Sequence, residues 1–120
     1  MHELGIATEL LRQTLAAAAG QGARRVTAIG VDLGVLQQID PDALRVAFEA
    51  MAVDTLAAGA RLDLREVGAR ATCRQCRTSY APEPGSFVCP QCRAADPELT
   101  AGRDIVLMTI ECLTEEELEP

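Results

Sequence analysis

Four cysteines form two C-x2-C pairs, Cys73 with Cys76 and Cys89 with Cys92, and twelve residues separate the pairs. Two residues between paired cysteines let both sulfurs reach one ion from a single turn, and a hairpin between the pairs brings the second pair in from the opposite side. Four thiolates are the ligand set of a structural zinc ion and leave no open position for water or substrate. The sequence therefore predicts a zinc ion that stabilises the fold and does no chemistry.

The four cysteines allow three other interpretations. Disulfides require an oxidising compartment, and the start of the chain lacks the basic residues and apolar stretch of a secretory signal. A rubredoxin-like iron centre uses the same four sulfurs and stays open. A nucleic-acid-binding zinc ribbon would use the nearby arginines, but the formal net charge of −7 opposes contact with a phosphate backbone. We interpret those arginines as charge balance for the metal: Arg70, Arg74, Arg77 and Arg93.

The chain's single histidine is its second residue, His2. The amine of Met1, the amide nitrogen of His2 and its imidazole can close fused chelate rings, and nitrogens in one plane suit Ni²⁺ or Cu²⁺. A histidine near a chain terminus is also common without any role, so this motif alone decides nothing. The fifth cysteine, Cys112, is expected to be a small buried hydrophobe outside the metal site.

The patterns around these residues predict an α+β fold with a three-stranded mixed sheet, two helices and an inserted four-cysteine zinc-ribbon module. Apolar residues at three- and four-residue spacing predict helices, and alternation predicts strands. Asp40 and Pro41 are expected to begin the second helix. The expected elements are a helix over 3–19, strands over 25–33, 61–65 and 104–112, and a helix from 41 to the residue before Gly59.

These elements predict a discontinuous nickel-binding domain over residues 1–69 and 103–113. Residues 70–102 lack apolar periodicity and should depend on the metal for their structure, which makes them the zinc-binding module. The last strand carries apolar residues on both sides, so we expect it to be well covered. Residues 114–120 are expected to form a solvated acidic tail.

Several motifs occur in an order that resembles the hydrogenase maturation nickel metallochaperones, the HypA/HybF family. The likeness spans nearly the whole chain, and an MHE start combined with two zinc knuckles is specific. The matching segments are Met1-His2-Glu3-Leu4, Val31-Asp32-Leu33-Gly34, the helix start from Asp40 to Leu44 with Ala47-Phe48-Glu49, the paired C-x-x-C, Gly102-Arg103-Asp104-Ile105 and Ile110-Glu111.

The resemblance implies that His2 binds nickel with backbone nitrogens of Met1 and Glu3, that Glu3 supports the site, and that the four paired cysteines bind zinc. It implies a cytoplasmic metallochaperone, not an enzyme, that passes Ni²⁺ to the large subunit of [NiFe] hydrogenase. The expected partners are that subunit and a GTP-hydrolysing accessory protein, with no nucleic acid or membrane, and the chain is expected to be a monomer or weak homodimer. The alternative is a zinc-ribbon module that binds protein or nucleic acid without nickel.

One departure from the family pattern lies in the knuckles. Arg77 and Arg93 stand where glycine usually follows the second cysteine of such a pair. If the backbone there needs a positive φ, each arginine should cost about 1 kcal/mol relative to glycine.

Overall fold

The computed structural model describes residues 2–83 and 85–118, with His2 described through its backbone alone. Two three-stranded sheets have the orders β2-β1-β6 and β4-β3-β5. The predicted class, an α+β fold with a mixed sheet and an inserted cysteine module, is confirmed. The elements are α1 (His2–Gly20), β1 (Arg25–Gly34), a 3-10 helix (Val35–Gln37), α2 (Pro41–Ala52), β2 (Arg61–Val67), β3 (Arg70–Cys73), β4 (Ser79–Tyr80), β5 (Pro97–Ala101), β6 (Ile105–Leu113) and α3 (Glu115–Leu118).

The chain divides into two compact units. The first unit comprises the residues up to Asp32, Ile39–Arg65 and the residues from Val106 onward. The second comprises Leu33–Gln38 and Glu66–Ile105, so it is wider than residues 70–102 and includes one end of each strand of the first sheet. Residues 115–118, expected as part of an acidic tail, form the short exposed helix α3.

The core of the first unit lies where α1 packs against α2. Helix α1 contributes Ala7, Leu10, Leu11 and Ala18, together with Thr14, whose buried hydroxyl donates to the Leu10 carbonyl at 2.7 Å. That internal hydrogen bond lets a polar side chain lie in the core without a desolvation penalty. Helix α2 contributes Leu44, Phe48 and Ala52.

Helix α2 begins as predicted but ends earlier. Asp40 is the N-cap, and its carboxylate accepts the backbone N–H of Asp42 at 2.9 Å. The expected end before Gly59 is wrong, because the helix stops at Ala52, followed by Asp54 at a φ of 66°. The Thr55 hydroxyl then donates to the Ala52 carbonyl at 2.6 Å, which satisfies one of the free carbonyls at the helix end.

The first sheet has a buried central strand and an open edge. In β1, Ile29, Val31 and Leu33 are buried, as their alternation predicts. The expectation that the last strand is well covered is wrong for β6, where Val106 and Met108 are 43% and 55% exposed. Strand β6 lies at the end of the strand order, so only β1 neighbours it among the described strands.

The second unit contains a small antiparallel sheet that the sequence patterns did not predict. Strand β3 pairs with β4, where Ala71 lies opposite Tyr80, and with β5, where Ala71 lies opposite Leu99. Ala71, Tyr80, Cys73 and Cys89 form a buried cluster, with Ala94 and Leu99 packed against it. Two of the four buried members are candidate metal ligands. The module therefore has a core, but one of only four buried residues, a size at which small folds ordinarily need a metal or disulfides.

Candidate metal centre

The first cysteine pair lies in a tight turn at the end of β3. The backbone N–H of Cys73 donates to the carbonyl of Thr78 at 2.9 Å, and the N–H of Arg77 donates to the carbonyl of Cys73 at 3.0 Å. The N–H of Cys76 also points at the Cys73 sulfur, at 3.5 Å. These bonds turn the chain so that both sulfurs of the pair face the same point.

The second pair repeats this arrangement. The N–H of Cys89 donates to the carbonyl of Ala94 at 2.8 Å, and the N–H of Arg93 donates to the carbonyl of Cys89 at 3.0 Å. Arg77 and Arg93 hold equivalent places and have φ values of 64° and 69°. Both knuckles thus need a left-handed residue where the sequence has arginine instead of glycine, which costs roughly 1 kcal/mol at each position.

The two turns bring the four predicted cysteine ligands together. All four sulfurs lie within 4.8 Å of one another. The Sγ atoms of Cys73 and Cys92 are 3.4 Å apart, and those of Cys76 and Cys89 are 3.6 Å apart. A tetrahedral ion with metal–sulfur bonds of about 2.3 Å requires sulfur–sulfur edges of about 3.8 Å. The donor set and its spacing therefore fit a tetrahedral zinc ion.

Hydrogen bonds within the first knuckle favour thiolates. The backbone N–H of Cys76 lowers the pKa of the Cys73 thiol. The hydroxyl of Thr78, whose oxygen lies 3.1 Å from the Cys76 sulfur, lowers the pKa of Cys76 to about 6 together with the Thr78 backbone N–H. Thr78 was not among the predicted site residues, because its contact depends on the turn that places its hydroxyl beside the Cys76 sulfur.

The second knuckle shows why the cluster needs a cation. The backbone N–H of Ala94 favours the Cys92 thiolate, but the hydrogen bond with Cys73 and burial outweigh it and raise the pKa of Cys92 to about 11. Four adjacent sulfurs cannot all carry negative charge without a positive ion among them. A divalent metal removes this conflict, because it binds every sulfur as a thiolate.

The predicted nickel ligands lie at the start of α1. His2 is the first residue of that helix, and its side chain lies outside the described part of the chain. The half-buried Glu3 accepts the backbone N–H of Asp40 at 3.4 Å. Its own backbone N–H, and that of Asp40, lower the pKa of Glu3 below 4.5. Glu3 thereby connects the first turn of α1 to the N-cap of α2.

The fifth cysteine lies outside the four-sulfur cluster, as predicted. Cys112 is a free, half-buried thiol on β6 and not a fully buried one. It lines an open cavity of about 400 Å³ with Ala17 of α1, Ile110 and Thr114. No sequence pattern indicated this cavity, since it arises from packing between a helix end and a strand end.

The amino-acid sequence of this chain matches a known protein family. Residues 1–112 match the family described as "Hydrogenase/urease nickel incorporation, metallochaperone, hypA". The hydrogenase maturation factor HypA of Roseiflexus sp. (strain RS-1) is 39% identical over 112 residues, which cover 92% of this chain and 91% of that protein. The hydrogenase maturation factor HypA of Dehalococcoides mccartyi (strain ATCC BAA-2266 / KCTC 15142 / 195) is 32% identical over 111 residues, covering 92% and 93%.

Solved structures agree at the level of the fold. The solution structure of the Ni metallochaperone HypA from Helicobacter pylori has a TM-score of 0.73 and 23% sequence identity, covering 94% of this chain and 98% of that one. The shared fold agrees with the sequence matches, which cover nearly the whole chain. The chain belongs to the HypA family of hydrogenase and urease nickel-incorporation metallochaperones.

Proposed function

We propose that this chain is a nickel metallochaperone that binds Ni²⁺ at its N-terminus and helps to insert it into [NiFe] hydrogenase. The observation that carries the proposal is the family match over residues 1–112, which includes the Met1-His2-Glu3 start. The proposed ligands are the imidazole and amide nitrogen of His2 with backbone nitrogens of Met1 and Glu3. The carboxylate of Glu3 supports the site through its contact with Asp40.

The proposed chemistry is ligand exchange and not catalysis. A chelate made by the end of a chain can be approached from several sides, so an acceptor can replace its nitrogens one at a time. Nickel must bind the neutral imidazole, whose reference pKa is about 6.5, so acidification should promote release. The expected acceptors are a GTP-hydrolysing accessory protein and the hydrogenase large subunit, and the expected compartment is the cytoplasm.

In this proposal the cysteine module holds zinc permanently. Cys73, Cys76, Cys89 and Cys92 would bind it as a closed set of four thiolates, which supplies stability to residues 70–102 and offers no position for a substrate. Residues 1–69 and 103–113 would form the nickel-binding domain. None of the helices in residues 2–83 and 85–118 is long and apolar enough to cross a membrane.

Isothermal titration of the zinc-loaded protein with Ni²⁺ tests the nickel assignment. His2→Ala should abolish the high-affinity nickel signal and leave zinc content and thermal unfolding unchanged, because the helix and the cysteines do not depend on the imidazole. A variant with two residues added before Met1 displaces the free amine and should also weaken binding. Nickel affinity that survives both changes would disprove an N-terminal site.

A further inference from the structure

Two arginines of the second unit hold strained positions and have no side-chain partner in the described part of the chain. Arg77 and Arg93 are exposed, at φ values of 64° and 69°, and neither makes a side-chain hydrogen bond or ion pair among residues 2–83 and 85–118. The unit's other arginines do have partners: Arg70 with Ser79 at 3.0 Å, Arg74 with Asp96 at 3.7 Å and Arg103 with Asp104 at 3.8 Å. Glycine at both positions would therefore give a more stable fold than arginine does.

No hydrogen bond ties these two side chains to the cysteine sulfurs. A guanidinium that neutralised a thiolate would donate to its sulfur, and no such bond joins Arg77 or Arg93 to a cysteine within the described residues. They follow Cys76 and Cys92, whose sulfurs lie within 4.8 Å of each other. The two arginines thus flank one metal centre and leave their donors available for an external acceptor.

The charges of the chain are divided unequally between its units. The second unit has five arginines and five acidic residues, whereas the rest of the chain has six arginines and thirteen acidic residues. Apart from the metal centre, where four thiolates on one divalent ion sum to −2, the whole of the formal charge of −7 therefore belongs to the first unit. A long polyanion such as nucleic acid would be repelled by that unit, while a short acidic segment could bind to the second unit alone.

Polar and apolar side chains lie together beside one of the arginines. Arg93 lines a cavity of about 300 Å³ with Val88 and Pro90, and the same lining includes Glu83 and Ser86. Val88 is 43% exposed, and the neighbouring Phe87 is 39% exposed. A guanidinium next to aliphatic and aromatic surface matches a peptide that carries carboxylates beside apolar side chains, since arginine binds a carboxylate with two parallel donors.

We propose that Arg77 and Arg93 form a docking surface for a short acidic, partly apolar segment of a partner protein. The proposal goes beyond nickel transport and does not depend on it. Because both arginines occupy left-handed positions, glycine can replace them without damage to the knuckles. The effect on binding can therefore be separated from any effect on folding.

The test uses the zinc-loaded full chain and a fluorescein-labelled peptide of alternating glutamate and leucine, with binding followed by fluorescence anisotropy. Replacing both arginines, Arg77→Gly with Arg93→Gly, should weaken binding by about tenfold, because two ion pairs are lost, and should raise the thermal unfolding temperature. Zinc content should not change. The double lysine variant should keep part of the affinity, since it keeps both charges.

The matched control is Gln38→Gly, which relieves a φ of 53° in the same unit without changing charge. It should raise stability and leave peptide binding as it was. Unchanged peptide affinity in the double glycine variant would overturn the proposal, and so would equal binding of a peptide with glutamine in place of glutamate. Loss of zinc from that variant would favour charge balance instead, and tighter binding of a single-stranded oligonucleotide would favour nucleic acid.

Discussion

Gly34 and Gly102 meet backbone to backbone. A Cβ added to Gly34 would lie 2.5 Å from both the carbonyl carbon and the carbonyl oxygen of Gly102. The N–H of Gly34 donates to the carbonyl of Asp104 at 3.0 Å, and the N–H of Leu36 donates to that of Gly102 at 2.9 Å. The end of β1 is thereby joined to the residues that lead into β6, and only glycine permits the approach.

Gly34→Ala should therefore destabilise the protein. The clash is with backbone, which cannot rotate away, so we expect a loss of about 2–3 kcal/mol in the free energy of unfolding. Gly5→Ala is the matched control, because a Cβ there meets nothing within 4 Å and the position is helical. It should raise stability by about 0.5–1 kcal/mol. Urea unfolding followed by circular dichroism measures both, and a loss of similar size in the two variants would contradict this explanation.

The single tyrosine provides a probe of zinc in the second unit. Tyr80 is the only tyrosine and the chain has no tryptophan. Its hydroxyl donates to the Phe87 carbonyl at 2.6 Å, and burial raises its pKa. Removal of the metal with a chelator should unfold the small core around Tyr80, change its emission intensity to that of an exposed phenol and return its pKa to about 10.

Two cysteine variants separate ligation from the general loss of a thiol. Cys89→Ser removes a fully buried member of the cluster and should reduce zinc content to near zero. Its tyrosine emission should match that of the wild-type protein after the metal has been removed. Cys112→Ser removes the one cysteine outside the cluster and should keep both zinc and spectrum. Zinc retained in full by Cys89→Ser would contradict the four-sulfur assignment.

The sequence predicted those features that depend on local spacing. The cysteine pairs, the cap at Asp40 and the alternation of Ile29, Val31 and Leu33 each follow from a few neighbouring residues, and the structure contains all three. The family resemblance, carried by the same short segments, predicted the function class. The ligands of nickel remain a prediction, since the His2 side chain lies outside the described residues.

The errors arose where tertiary contacts decide the outcome. Helix α2 ends at Ala52 because Asp54 takes a positive φ, and aspartate gives a much weaker stop signal than Gly59 does. Strand β6 has the apolar composition of a covered strand but lies at a sheet edge, which depends on strand order and cannot be read from its sequence. The sheet around Ala71 was missed because its strands are too short to show a period.

The N-cap of α2 should contribute measurably to stability. Asp40→Ala removes the acceptor for the N–H groups of Asp42 and Ala43 and should cost about 1 kcal/mol. Asp40→Asn keeps an acceptor for these N–H groups and should cost only about a few tenths of a kcal/mol. Asp42→Ala is the control for acidic charge in the first turn of α2, since its side chain is 92% exposed and, within the described residues, its ion pair is with Arg45. Equal losses for Asp40→Ala and Asp42→Ala in urea unfolding would show that capping is not the cause.

The contact between Glu3 and Asp40 should make part of the stability depend on pH. The pKa of Glu3 in the folded state lies below 4.5, because its own N–H and that of Asp40 favour the carboxylate. A depressed pKa means that the unfolded chain binds the proton more readily, so the contribution is complete above about pH 4.5 and is lost as the pH falls through the folded value. Glu3→Gln cannot make this pH-dependent contribution to stability, because its amide does not titrate. The difference in urea midpoint between wild type and Glu3→Gln should therefore shrink as the pH is lowered from neutral to below the ordinary pKa of glutamate.

The same variant separates a supporting role for Glu3 from a ligand role for its carboxylate. If Glu3 only orients the first turn of α1, Glu3→Gln should weaken nickel binding severalfold, because the amide still accepts the Asp40 N–H, whereas His2→Ala should abolish it. Titration calorimetry at neutral pH compares the two. A complete loss of nickel in Glu3→Gln would mean that the carboxylate binds the ion directly. The chelate would then consist of more than backbone nitrogens and one imidazole.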